Sequence, residues 1–206
     1  MKKGMTVTYE VEDALYVNMT NRCSNRCEFC IRNNGDGAYG SDPLWLEREP
    51  TVDETVESIL SRDVSAYTEL VFCGYGEPTE RLDDMLAVIK RVKSVYPTLK
   101  VRLNTNGHAT LINGEGAAKK MEGLIDSVSI SLNTPDPLSY ERICHPVYKE
   151  KAFPALLDFV REVKNYVQKT LFSVVGDFLT EKELAACRRI ADEVGVPLRV
   201  RKYISE

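Results

Sequence analysis

Apolar and polar positions follow two alternating rhythms along this chain. "ALYVNMT" (14–20), "TELVFC" (68–73), "KVRLNT" (100–105), "SVSISLN" (127–133), "TLFSVVG" (170–176) and "PLRVRKYI" (197–204) are short apolar or period-two runs that predict strands. Between them, apolar residues recur every three or four positions. "TVDETVESILSR" (51–62) predicts a helix with Thr51 or Asp53 near its start, and "LDDMLAVIKRVKSVY" (82–96) another, with Leu82, Met85, Leu86, Ile89, Val92 and Val95 on one face. A weaker helix is expected around "GEGAAKKMEGLI", a longer amphipathic one at "AFPALLDFVREVKNYV" (152–167), and a last one over 180–194. Six strands alternating with helices predict an α/β fold of parallel strands with outer helices. No internal repeat, linker or low-complexity tract breaks the series.

Several of these strands are not the continuous apolar runs of a parallel sheet buried on both faces. Ser127, Ser129, Ser131 and Asn133 alternate with Val128, Ile130 and Leu132; Arg102, Asn104 and Asn106 alternate with Val101, Leu103 and Thr105; Arg199, Arg201 and Tyr203 share a face. The expectation is a curved sheet whose apolar side meets the helices and whose polar side lines a solvated cavity.

Composition narrows the class. With 206 residues, 43% hydrophobic and 28% charged, the chain is expected to form one domain, 1–206. A formal net charge of −4 gives no general attraction for phosphate backbones, so duplex nucleic acid is not an expected partner. No segment approaches 18 uninterrupted apolar residues and no apolar run follows the Lys pair near the start, so a cytoplasmic protein away from membranes is expected.

Six cysteines change the picture, because three of them fall within "TNRCSNRCEFCIRNN" as CxxxCxxC. In a reducing compartment such a cluster points to metal or catalysis rather than disulfides. Cys187 shares a helical face with Leu184, Ala191 and Val194 and reads as a small core residue. Cys73, at the end of "ELVFC", and Cys144, after "LSYERI", read the same way. His108 and His145 read as surface or capping residues.

The loops following the first four strands carry the chemistry, on the rim where parallel α/β folds build their sites. They are the cysteine loop, "CGYGEPTE", "NTNGH" and "SLNTPDP". Gly74 and Gly76 would permit close backbone approach to a ligand, and Glu77 offers a carboxylate. A structural zinc site usually closes with four ligands, and a ferredoxin run has a fourth cysteine and different gaps. Three thiolates suit a four-iron cluster with one iron left open for a small molecule.

On Cys23, Cys27, Phe29 and Cys30, and on "GYGEP" in place of a glycine-rich GGEP segment, the chain resembles the radical S-adenosylmethionine (SAM) superfamily over nearly its whole length. The resemblance implies a partial (β/α)6 barrel and two cofactors, a [4Fe-4S] cluster held by Cys23, Cys27 and Cys30 and S-adenosyl-L-methionine chelating its unique iron. Reductive cleavage of SAM would yield a 5′-deoxyadenosyl radical that abstracts hydrogen from a substrate. By position, the resemblance places the Phe29 backbone against the adenine and Gly74, Gly76 and Glu77 at the methionyl amino group. Asn104, Thr105 and Asn106 lie near SAM, Ser131 and Asn133 at its ribose or carboxylate, and Val175 beside the adenine. Tyr75, where glycine is common, either reaches the site or packs outward. Arg142 either pairs with the SAM carboxylate or is a solvated helix residue.

Partners follow from the same resemblance. An external one-electron reductant is implied, and no auxiliary-cluster extension is expected. A short barrel leaves one side open, to be closed by a macromolecular substrate, a second subunit or a loop, for which residues 33–50 are the candidate lid or a plain surface loop. Arg102, Arg199, Arg201 and Lys202 suggest a polar, anionic substrate. The segments "SLNTPDPLSYERICHP" and "SVVGDFLTEKELAACRRIADEVGVPLRVRKY" look most like stand-alone members associated with TatD-type metal-dependent hydrolases. Two other functions stay open: an activase that installs a radical on a partner glycyl radical enzyme, and a non-catalytic metal-binding or electron-carrier module.

Overall fold

Seven strands, not six, build the sheet of this computed structural model, which describes residues 2–204. They are β1 (Thr8–Val11), β2 (Ala14–Val17), β3 (Glu69–Phe72), β4 (Lys100–Thr105), β5 (Ser127–Ser131), β6 (Lys169–Val175) and β7 (Leu198–Arg201), side by side in chain order. The six expected strands, β2 to β7, pair in parallel, and β1 is an added antiparallel edge that pairs with β2 as a hairpin. Its turn is Glu12-Asp13, with Glu12 at φ 55°, rather than the Asn-Gly or Asp-Gly that marks a tight hairpin in sequence.

Six α-helices connect the strands: α1 (Val52–Leu60), α2 (Leu82–Val95), α3 (Ala109–Asn113), α4 (Pro137–Cys144), α5 (Ala152–Val163) and α6 (Glu181–Val194). Thr51 and Thr180 cap α1 and α6 with reciprocal capping boxes to Glu54 and Glu183, satisfying orphan amides at each N-terminus. The helix expected around residues 114–125 is reduced to a 3-10 turn at Lys119–Met121, and α3 forms just before it. Gly114, Gly116 and Gly123 adopt φ of 81°, 82° and 71°, which breaks the helical repeat.

The core lies between the sheet and the helices. Leu70, Phe72, Val101, Leu103, Val128, Ile130, Leu132, Phe172 and Val174 point from the sheet into it and are almost fully buried. The opposite parity faces the cavity: Arg102, Asn104 and Asn106 from β4 and its exit, Ser129, Ser131 and Asn133 from β5 and its exit, and Ser173 and Val175 from β6. Tyr9 and Val11 of β1 line the same cavity as Arg199 and Arg201 of β7, although these are opposite edges of the sheet. The sheet therefore curves into an open barrel, with parallel strands inside and helices outside, as expected.

Residues 33–50 are neither a free lid nor a plain surface loop. Leu44 and Leu46 are wholly buried, Asn18 Nδ2 donates to Leu44 O at 2.8 Å, and Asn21 bonds both the amide and the carbonyl of Leu46. Ala38 and Leu44 join Tyr9, Val11 and Tyr75 in a second small core.

Candidate active site

The cysteine loop begins three residues beyond β2 and is held from both sides. Glu77 N donates to Arg22 O at 2.8 Å, Arg26 N to Cys144 O at 2.9 Å and Glu28 N to Ile143 O at 3.0 Å. Cys23, Cys27 and Cys30 are free, partly exposed and on the cavity wall. Burial pushes the Cys23 thiol up to about 12, with the Glu77 carboxylate adding to it, while Arg32 pulls the other way. Cys27 rests against the Cys144 thiol, and this contact with burial raises it well above the ordinary thiol value; burial also raises Cys30. Loading a metal on these groups must therefore release protons. Among the described residues no three His, Cys, Asp or Glu side chains are placed to hold one metal ion. Three free thiols on one cavity wall suit an iron-sulfur cluster.

The glycine segment packs against that loop. A Cβ on Gly74 would overlap the Asn18 side chain, and one on Gly76 the carbonyl oxygens of Thr20 and Arg22. The glycines thus admit neighbouring segments of the chain, and both also line the cavity where close approach to a ligand is expected. Glu77 is buried and its carboxylate ties its own segment to the exit of β4. Its Oε1 accepts from Thr79 N (3.1 Å), Thr79 Oγ1 (2.8 Å) and Thr105 Oγ1 (2.7 Å), and its Oε2 accepts from Asn106 N (2.7 Å). Burial raises the carboxyl above its ordinary value and these donors oppose the rise. Oε2 has the one protein donor, so it is the oxygen with capacity for a cation. Tyr75 packs outward: its ring meets Trp45 edge-on at 5.3 Å and its hydroxyl is shared between Gly35 O (3.0 Å) and Gly37 O (2.7 Å).

The exits of β4, β5 and β6 complete the wall. Asn106 Nδ2 donates to Ser24 Oγ at 2.8 Å and lies 3.9 Å from Cys23 Sγ. Asn133, at φ 63°, donates to Cys144 Sγ at 3.5 Å. The side-chain oxygens of Asn25, Asn104 and Asn133 are buried and accept no hydrogen bond from the described residues, although all three residues line the cavity. Unsatisfied acceptors of this kind call for a donor from a ligand or from water. Phe29 stacks at 5.2 Å on Phe178, which meets Tyr203 at 5.1 Å. Ser131 and Val175 lie nearby on the same wall, and the cavity measures about 740 Å³. Every cysteine, glycine and polar residue singled out in the sequence for this site, with Phe29, Tyr75 and Val175, lines that one cavity.

Some expectations fail here. Cys73 is not a core residue: it is partly exposed on the cavity wall beside Asn104, with its thiol raised by burial. Strand parity carried the signal, since Leu70 and Phe72 point to the core and Cys73 falls on the other side. Cys144 and Cys187 are buried as expected. His108 is not at the surface but wholly buried, and burial lowers it to about 4, so the imidazole is neutral. His145 closes α4 in a left-handed conformation and pairs with Glu28 at 3.3 Å. Arg142 is exposed on α4, the solvated alternative. Sequence reasoning missed Tyr9, Tyr16 and Tyr39, which line the open side of the cavity. Arg102 is neutralised by Glu69 at 2.9 Å, whereas Arg199, Arg201 and Lys202 line the cavity without a salt bridge among the described residues.

Comparison with known proteins gives a consistent result. The family model of the radical SAM superfamily matches residues 17–190. A GTP 3′,8-cyclase from Limosilactobacillus fermentum is 28% identical over 143 residues, covering 69% of this chain and 40% of that protein. The "Probable dual-specificity RNA methyltransferase RlmN" of a Thermoanaerobacter species is 25% identical over 173 residues, covering 82% of this chain and 46% of that protein. The chain spans less than half the length of these curated relatives. Among solved structures, a radical SAM methyltransferase from Sphaerobacter thermophilus superposes with TM-score 0.68 at 15% identity, over 95% of this chain and 68% of that one. Streptococcus suis SuiB, bound to precursor peptide SuiA, gives TM-score 0.68 at 14% identity over 93% of this chain and 39% of that one. At such identities the superpositions establish a shared fold.

Proposed function

The chain belongs to the radical SAM superfamily, and from that premise we propose that it is a radical SAM enzyme acting on a polar, anionic substrate. Members of the superfamily use a [4Fe-4S] cluster and S-adenosylmethionine. The observation that carries the reading is the convergence on one cavity of three free thiols, a buried carboxylate and three amide oxygens, those of Asn25, Asn104 and Asn133, that have no partner among the described residues, from loops that follow separate strands. When bound, the cluster supplies the electron that cleaves SAM, and a one-electron donor from outside the chain must replenish it.

The protein's own residues then have separable tasks. Cys23, Cys27 and Cys30 would give up their protons and hold the cluster. Glu77 Oε2 receives the methionyl ammonium, a charge-assisted contact strengthened by the dry surroundings of the carboxylate. The amide oxygens of Asn104 and Asn133 take donors of the bound molecule, and Ser131 and the Asn106 side chain line the same wall. Val175 offers an apolar surface for the adenine and the Phe29 backbone polar groups for its edge. Tyr75 takes part through its backbone, because its side chain is committed to the loop at Gly35 and Gly37. Arg199 and Arg201 line the cavity without a salt bridge among the described residues, and they select a substrate carrying negative charge.

The test is made on anaerobically reconstituted, dithionite-reduced protein, by EPR with and without SAM and by chromatography for 5′-deoxyadenosine. A reduced cluster signal that shifts on adding SAM, with slow nucleoside formation, is expected; Cys23→Ala, Cys27→Ala and Cys30→Ala should each lose both, and Cys187→Ala should keep both. A cluster indifferent to SAM and no nucleoside would leave a metal-binding module in place of an enzyme.

A further inference from the structure

Between Cys23 and Cys27 the chain places Ser24, Asn25 and Arg26, and only the arginine faces solvent. Ser24 and Asn25 are polar yet 3% and 4% exposed, so each needs a partner inside the protein. Both partners converge on one ring. Ser24 Oγ lies 3.0 Å from His108 Nδ1, and Asn25 Nδ2 donates at 2.9 Å to the Tyr140 hydroxyl, which lies 3.3 Å from His108 Nε2. Asn106 supports both ends: its Nδ2 donates to Ser24 Oγ at 2.8 Å and its Oδ1 accepts from His108 N at 3.0 Å. The ring is fixed by elements other than the loop, since His108 opens α3 and is flanked edge-on by Tyr140 at 6.0 Å and Tyr148 at 5.8 Å.

We infer that His108 is a positioning residue for the cluster ligands: through Ser24 and through Tyr140 to Asn25, it fixes the turn that sets Cys23 and Cys27 apart. The inference rests on the proposed role of these cysteines as cluster ligands. A neutral imidazole suits the task because it offers one donor and one acceptor on opposite sides of a rigid ring, one side meeting Ser24 and the other the Tyr140 hydroxyl that holds Asn25. Deletion of either interaction leaves a buried hydroxyl or amide short of a partner directly beside a cysteine, where small displacements matter most. Partners that orient metal ligands from behind commonly change metal affinity or activity by about 10–100-fold when removed.

The experiment compares His108→Phe, Tyr140→Phe, His108→Asn and wild type, each reconstituted with iron and sulfide under argon. Iron and sulfide content and the rate at which a chelator bleaches the cluster are measured, alongside thermal unfolding of the cluster-free proteins. The Asn amide nitrogen can stand near Nδ1 and keep the bond to Ser24. Tyr140→Phe removes a single oxygen and guards against a misfolded ring variant. The expected result is bleaching about tenfold faster in His108→Phe, a smaller rise in Tyr140→Phe, and substantial rescue in His108→Asn. Bleaching at the wild-type rate in both Phe variants overturns the inference, as does an Asn variant no better than Phe, which would reduce the network to packing. Wild-type protein that takes up no cluster overturns the cluster-ligand reading itself, and the inference with it.

Discussion

Glu77 is the residue on which most of the site depends, and its position explains why. Four donors from two neighbouring segments saturate one carboxylate oxygen and half-fill the other, so the side chain is at once a structural keystone and a receptor with one open direction. Glu77→Ala would strand the hydroxyls of Thr79 and Thr105 and the amide of Asn106. We expect the cluster-free protein to lose about 3 kcal/mol in denaturant unfolding, from several buried groups each short of a partner. A loss below about 1 kcal/mol would mean that water fills the place of the carboxylate. The glutamate was visible in "GYGEP" as a carboxylate for a ligand. Its four internal bonds were not, because they join positions up to 29 residues apart. His108 shows the same limit. A histidine in a turn has several compatible environments, and sequence spacing does not choose among them, whereas the side on which Cys73 falls was legible in strand parity.

At the scale of elements, the strands were legible by parity and the loop over the cavity was not. The alternation in β4 and β5 follows directly from side chains pointing to opposite faces of a strand, so it survives any uncertainty about neighbours. The hairpin partner β1 lacked a turn signal, and residues 33–50 lacked periodicity altogether. Their order comes from anchoring contacts: Asn18 and Asn21 on the backbone of Leu44 and Leu46, and the Tyr75 hydroxyl on Gly35 and Gly37. Tyr75→Phe keeps the ring against Trp45 and removes that last anchor. The expected cost is about 1 kcal/mol, a roughly five-fold rise in local opening, read as faster limited proteolysis within 33–41 with little change in overall unfolding. Unchanged cleavage there would show that Leu44 and Leu46 hold the loop without the hydroxyl.

The whole molecule is a sheet with two free edges facing one cavity, closed at the cysteine end by a clasp. Asn34 Nδ2 donates to Ile204 O and Tyr203 OH to Asn34 Oδ1, both at 2.8 Å, tying the segment after the cysteines to the chain beyond β7. Arg199 and Arg201 of the edge strand β7 line this cavity, as do Tyr16 and Tyr39. Among the described residues no helix is long and apolar enough to cross a membrane. The substrate reading is tested by screening small carboxylates, phosphates and amines for thermal stabilisation of wild type and of the Arg199→Glu/Arg201→Glu double variant. Anions that stabilise wild type and lose their effect in the double variant are expected. Stabilisation by amines alone, or anion effects equal in both proteins, would remove these arginines from substrate selection.

By itself the sequence determined the alternation of strands and helices, the polar lining of the sheet, the three thiols and the set of loops that form the site. These features depend on near neighbours in the chain, through the periods of strand and helix and the spacing of ligands within one loop. Tertiary structure alone decided that Gly74 makes room for the Asn18 side chain and Gly76 for the cysteine loop, that residues 33–50 are bolted down, and that His108 sits behind the thiols. Each of these is a contact between segments distant in sequence, fixed by how strands stack in register and by which buried polar groups find partners, and neither is written in any single stretch of the chain.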